Sequence, residues 1–368
     1  MTPLLRTAAA LAAAGTTLAL AACGTAEPTK TVTVGGTPAA RTAATGAAAG
    51  GADLGGRNPF DSSSPWNAQV QSLPADPNSA AMIRVSARQP VDESEQTYLQ
   101  SRLTRRNLAI NLTGWAPGVY GVGNGSPVKL ICRQSRCGKV GDPPPDTLRL
   151  GSDAVPDPGH DGWLVLVDEA NKTVWDLWRA RRAGNTLSYA FARKWRLDGS
   201  GVGPVSATLA DRTPSIRGSG LPMLAGLIRP RELRAGRIPH ALAIAIPGPA
   251  SDVFVAPAST TNGLASRTKA IPEGARLRLR GEALTRLQRS ASTSRSRNPG
   301  ALTVAQALYT YGAIVVDRAN APTLYAQRNG NYVGYLRENA LSELKLTDFD
   351  VLPLGRRRTD SAAPPEAK

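Results

Sequence analysis

The chain has 368 residues, with 44 Lys and Arg against 28 Asp and Glu, a formal charge of +16, and only 2 His and 3 Cys. So few soft ligands exclude a Cys-rich zinc site, an iron–sulfur cluster or a multi-histidine centre unless nearly all of them converge, and they exclude a large disulfide framework. A hydrophobic share of 41% with 29 Pro and 36 Gly fits a loop-rich globular body rather than a coiled coil or a polytopic membrane protein.

Arg6 precedes an uncharged run from Thr7 to Ala22 that ends Leu20-Ala21-Ala22-Cys23. The run is too short for a confident membrane span. It resembles a bacterial lipoprotein signal peptide and matches the lipobox at all four positions. The resemblance implies removal of residues 1–22 and acylation of Cys23, palmitate included. It also implies attachment to the outer face of the cell membrane, since two or more acyl chains anchor stably. Residues 23–56 are Ala, Gly and Thr with almost no large apolar side chain, so they are expected to form a disordered tether. Residues 57–354 are expected to form one folded domain, and 355–368, with Arg356 to Arg358 and Pro364-Pro365, a disordered tail.

Cys132 and Cys137 are separated by four intervening residues between β-prone flanks, and outside the cytoplasm such a pair oxidises, closing a hairpin. Trp163–Asp168 and Thr173–Arg179 read as two strands around a Glu169–Lys172 turn. Val174, Asp176 and Trp178 fall on one face of the second strand, Trp175 and Leu177 on the other. Short strands follow at 241–246, 253–256, 275–279 and 313–316. Arg229–Gly236 and Leu302–Tyr311 read as short helices ended by Gly236 and Gly312. The pattern predicts a mainly β fold, a double-sheet sandwich or jelly roll with two short helices.

Of the 44 basic residues eight are Lys and 36 are Arg. Arginine grips carboxylate, sulfate or phosphate with a planar fork, which points to an acidic polysaccharide, an envelope phosphate polymer or the anionic membrane as partner. GC-rich coding raises Arg as well. No nucleic-acid module is visible.

Three clusters concentrate the chemistry. His160-Asp161 opens the first hairpin beside Trp163; the pair suits acid–base work on a sugar stacked against the indole, or Asp161 is a turn residue and Trp163 core. Arg217 and the glycines at 218, 220 and 226 precede Gly236-Arg-Ile-Pro-His240, where His240 faces either a cleft or the core. Glu273, Arg276 and Tyr311 form the third cluster, with Glu273 in Pro-Glu-Gly equally a turn residue. No phosphate loop, nucleophile elbow or His-Glu-x-x-His motif is present.

The order Gly-Leu-Pro, Gly-x-Ile-x-His-Ala-Leu, Pro-x-Gly-Ala-Arg-Leu-Arg-Leu and Ala-Leu-x-x-Tyr-Gly, over roughly residues 155–335, resembles a group of largely uncharacterised secreted bacterial and fungal β-sandwich proteins. That resemblance implies polysaccharide breakdown and carries His240 and Asp161 over as motif positions, with Arg217 a looser match. The relatives' Asp-x-His differs here, because Trp163 takes the His place and His160 precedes the Asp. The expectation is therefore a membrane-anchored extracytoplasmic protein that binds an acidic glycan and, as a polysaccharide lyase or glycoside hydrolase, would cleave it. Arg217 or Arg276 would neutralise a uronate, and His240 or Tyr311 would take the α-proton, with Asp161 and His160 as further candidates. No cofactor is required, although loop carboxylates leave room for Ca²⁺. The alternative is a non-catalytic surface lipoprotein that holds envelope polymers or a partner protein.

Overall fold

The computed structural model describes residue 52 and residues 54–87, 107–159, 161–203, 216–293 and 298–359, all within one compact unit, Ala47–Lys368. The fold is mainly β, and its sheets stack in layers. The first sheet has six strands in the order β1 (Ala109–Asn111), β14 (Thr323–Tyr325), β10 (Leu242–Ile246), β13 (Ala313–Arg318), β12 (Arg276–Leu279) and β15 (Phe349–Val351). The second runs β2 (Gly118–Gly121), β5 (Leu164–Asp168), β6 (Thr173–Trp178), β9 (Phe191–Arg196). The third runs β4 (Thr147–Leu150), β3 (Ser126–Cys132), β8 (Thr186–Tyr189), β7 (Arg181–Ala183). A small ribbon pairs β11 (Val253–Phe254) with β16 (Arg358–Thr359).

Alternation along each strand decides which layers touch. In β10, Leu242, Ile244 and Ile246 enter one core, where helices α1 (Ser79–Ser86), α2 (Pro230–Arg234), α3 (Gly281–Thr293) and α4 (Pro299–Thr310) cover the sheet. Ala243 and Ala245 face the opposite way, into a core shared with Val165, Val167, Val174 and Trp195 of the second sheet. The other face of that sheet, through Leu164, Leu166, Trp175 and Leu177, packs on Val128, Leu130, Leu150 and Leu187 of the third. The face assignment read from the Thr173–Trp178 alternation is the one observed. The second sheet is thus buried on both sides, which is why β5 is a continuous apolar run, Leu164-Val-Leu-Val167, rather than an alternating one.

The sandwich carries a third sheet and two helices beyond those expected. Helix α3 was hidden because Gly281 opens it and Ser and Arg fill its exposed face, with Ala283, Leu284 and Leu287 alone marking the buried stripe. The Ser/Arg-rich stretch at 289–298, which composition reads as a loop, therefore begins inside a helix. Both domain boundaries also move. Ala52 N donates to Val119 O, Leu54 is buried, and the ribbon reaches Thr359, so the packed body extends beyond 57–354 at each end. Ala52 and Leu54 are buried in a stretch that composition alone reads as tether. The Cys132–Cys137 disulfide is present and closes a short loop at the end of β3, within the β3–β4 connection. Cys23, the signal peptide and residues 360–368 lie outside the described residues.

Candidate functional site

The 157–163 loop carries the first of the sequence clusters, and its described residues are tied together by backbone and side-chain hydrogen bonds. Asp157 builds it: Oδ1 accepts from Gly159 N at 2.6 Å, Oδ2 accepts from Ala116 N at 3.0 Å, and its own N–H donates to Trp163 O at 2.9 Å. On the far side Arg179 N donates to Asp161 O at 2.6 Å and Ala180 N to Gly162 O at 3.0 Å. Gly162 lies at φ 49°, where a Cβ would come within 2.7 Å of Ala180 O, so the close approach requires glycine.

This frame fixes three aromatic side chains. Trp163 is core, with its centroid 6.0 Å from Trp115 and 6.2 Å from Tyr325, edge-on to both. Trp115 is 49% exposed, so the ring offered to solvent at this loop is Trp115 and not Trp163. Half-buried Trp178 donates its indole N–H to Asp161 Oδ1 at 3.1 Å, while the Arg179 guanidinium lies 4.3 Å above the Trp178 ring. Asp161 is thus a positioning group for Trp178 rather than a turn residue bonded to its own backbone. His160 lies outside the described residues.

His240, at the mouth of β10, is 1% exposed and sits in an internal ion network. Its Nδ1 faces Ala241 O at 2.9 Å and its Nε2 faces Glu232 Oε1 at 2.8 Å. Because a carbonyl only accepts, Nδ1 carries a hydrogen, and Nε2 is the nitrogen turned to the carboxylate. Arg229 Nη2 donates to the same Glu232 oxygen at 2.5 Å, and Arg229 N to Oε2 at 3.1 Å, capping α2. Burial pushes the Glu232 carboxyl up, but His240 and Arg229 outweigh it and hold it below the ordinary carboxylate range. His240 therefore takes the core alternative.

Arg217 is also buried, but in a different network. Its Nη1 donates to Pro222 O at 2.6 Å and Ala225 O at 3.0 Å, and its guanidinium lies 5.4 Å from the Tyr325 centroid. Asp176 and Asp317 stand near it, and the buried Glu273 lies beside Asp317. Asp176 Oδ2 accepts from Trp195 Nε1 and Met223 N, both at 2.8 Å, and burial raises its pKa to about 6. Asn262 links the other two: its side-chain amide donates to Asp317 Oδ1 at 2.9 Å and its backbone N–H to Glu273 Oε2 at 3.4 Å. Burial, and then the Asp317 charge, pushes Glu273 well above the usual carboxylate range, and burial raises Asp317 too. Burial also raises the Tyr325 phenol, with Asp317, Glu273 and Asp161 adding to it and Arg217 opposing.

Tyr311 is core, and its carbonyl accepts from Arg276 Nη1 at 2.5 Å; burial lowers the Arg276 guanidinium to about 10. The structure thus places His240, Arg217 and Tyr311 in the interior, the first two in separate hydrogen-bond networks, and leaves Asp161 at the surface loop. Sequence reasoning missed Trp115 and Tyr325, and it left the Asp176 and Asp317 carboxyls unplaced. Trp115 follows a Gly in a featureless stretch, and the carboxyls stand within apolar strands whose depth only packing reveals. Among the described residues no group of three or more His, Cys, Asp or Glu is placed to hold a metal ion, and no helix is long and apolar enough to cross a membrane. In comparisons with known proteins, no family model, curated protein or solved structure matches the chain.

Proposed function

We propose that this protein is an extracytoplasmic, lipid-anchored lipoprotein that binds an acidic polysaccharide at the 157–163 loop. The observation that supports the reading is the exposed Trp115 ring, braced edge-on by the buried Trp163 of the same loop, whose Asp161 holds Trp178 beneath Arg179. An indole face held rigidly at a surface stacks on the apolar face of a sugar ring with little side-chain entropy to lose. Neighbouring guanidiniums suit an anionic substituent. Binding ranks ahead of cleavage, because His240, Arg217 and Tyr311 are interior side chains held by backbone carbonyls, by Glu232 or by core packing.

The test is titration of the acylated or Cys23→Ser protein with polygalacturonate, dextran sulfate and neutral dextran, read by tryptophan fluorescence. Trp115→Ala is expected to weaken binding by tenfold or more, in line with about 1–3 kcal/mol for a lost stacking contact. Unchanged affinity would remove the platform from the site. Release of unsaturated products from a uronate polymer, abolished by Asp161→Asn and kept by His240→Ala, would restore a lyase reading. Loss of the protein from the membrane fraction in Cys23→Ser tests the anchor.

A further inference from the structure

We propose that Arg133, Arg179 and Arg181 form an anion subsite that takes the carboxylate or sulfate ester of the polymer bound at the 157–163 loop. The proposal rests on the polysaccharide reading above and adds where the polymer's charge is read. Register brings the three together. Antiparallel pairing sets Arg181 opposite Ser188, and parallel pairing sets Ile131 opposite Ser188. Residues that face one another across a ladder share a face. Leu130 and Leu187 fill the inner face of this third sheet, so Ile131, Ser188 and Arg181 point outward.

Arg133 is held onto that face. Its Nη1 donates to Ser188 Oγ at 2.6 Å and its Nη2 to Arg179 O at 2.6 Å, while its own N–H donates to Tyr189 O at 2.8 Å. The disulfide between Cys132 and Cys137 pins the backbone on which it stands. Arg179 is fixed over Trp178, whose indole binds Asp161, so the cations continue without a break into the 157–163 loop.

Like charges gathered this way have no internal compensation at two of the three positions. Neither Arg133 nor Arg181 meets a carboxylate at ion-pair distance among the described residues. Burial, then Arg181 and Arg179, hold the Arg133 guanidinium below the ordinary arginine range. A fixed cluster of guanidiniums with spare forked donors is matched by an oxoanion, which accepts several of them at once. Exposed Ile131, on the same face, adds apolar contact for a sugar ring.

The experiment compares wild type, Arg133→Ala/Arg181→Ala and Trp115→Ala on polygalacturonate, dextran sulfate and neutral dextran. A control, Arg84→Ala/Arg337→Ala, removes the same charge from exposed positions on the helical side. The subsite double variant is expected to lose about tenfold or more on one or both anionic polymers and nothing on dextran, with the control unchanged; which polymer suffers distinguishes carboxylate from sulfate. Circular dichroism reports folding, and Arg181→Ala alone, at an exposed position, stands in if the double variant does not fold. An equal loss in the control would reduce the effect to diffuse charge and overturn the subsite. A double variant that binds as wild type while Trp115→Ala weakens all three polymers overturns the subsite and spares the platform. The reverse pattern spares the subsite and overturns the platform, and a wild-type chain that binds none of the three overturns both.

Discussion

Glu232 bonds two buried side chains at once, Arg229 and His240, which makes it the point of failure of this network. Replacing it with Ala would strand Arg229 and His240, each under 5% exposed, without the acceptor that compensates their removal from water. Breaking a buried pair from one side costs about 3–5 kcal/mol, so Glu232→Ala is expected to lower the denaturation midpoint steeply in urea, with Glu232→Gln losing less. If Glu232→Ala unfolds at the wild-type midpoint, the network contributes nothing to stability. Asp176 predicts a pH dependence of the opposite kind. Its folded pKa of about 6 lies above the roughly 3.9 of an unfolded chain. Below pH ~4 both states hold the proton; as the pH rises through ~6 the unfolded chain has lost it first, so stability falls across that window by roughly 2–3 kcal/mol and stays lower above it. Asp176→Asn keeps an acceptor oxygen for Trp195 and Met223 and removes the titration. Its stability is expected to be flatter than wild type between pH 4 and 6, and to exceed it by pH 7. Parallel profiles for the two proteins would assign the wild-type slope to Glu273 and Asp317 instead.

At the scale of elements, the turn at Gly226 sets the spacing between α2's approach and the six-stranded sheet. Gly226 lies at φ 70°, accepts from Ala243 N at 3.0 Å, and a Cβ there would meet that nitrogen at 2.3 Å and Trp66 at 2.7 Å. Gly226→Ala is expected to cost at least ~2 kcal/mol, from positive φ together with a clash against backbone that cannot move away, measured by the shift of the thermal midpoint. A smaller shift would mean that the turn relaxes. By contrast the Cys132–Cys137 loop encloses so few residues that Cys132→Ser/Cys137→Ser should cost no more than about 2 kcal/mol. How far sequence reached follows the same division between local and non-local causes. The Leu164–Asp168 and Thr173–Trp178 hairpin, the two Gly-ended helices and the disulfide were legible, because alternation, a terminal glycine and a short Cys spacing are local signals. Helix α3 and the third sheet were not, since their apolar residues are sparse and their partners distant in the chain. The site fared worse for the same reason: His240 and Arg217 were legible as unusual residues, but whether they face solvent depends on Glu232, Tyr325 and two sheets that only packing brings to them.

For the whole molecule, the layer order makes stability uneven. The second sheet is covered on both faces, and the six-stranded sheet by helices on one side and that second sheet on the other. Among the described residues the third sheet packs through one face alone, and its other face carries Arg133, Arg181 and exposed Ile131. Apolar burial is the main favourable term, so a layer with one buried face opens at lower cost than a layer with two. Native-state amide exchange is therefore expected to protect Ile244 and Val315, within the parallel β10–β13 pair, at the level of global unfolding. Lys129 and Leu130 of β3, whose N–H groups donate to Asn185 O and Asp146 O, should exchange sooner through opening of the outer sheet. Should Leu130 prove as protected as Ile244, the layers unfold as one unit and the outer sheet has no independent opening. The same measurement bears on function, because a ligand that binds the folded outer face slows any opening of it in proportion to its occupancy. Saturation with the polymer that the arginine cluster prefers should slow exchange at Lys129 and Leu130 while leaving Ile244 and Val315 near their unliganded rates. A slowing spread evenly over both sheets would instead mean that the polymer is held by the molecule's overall positive charge.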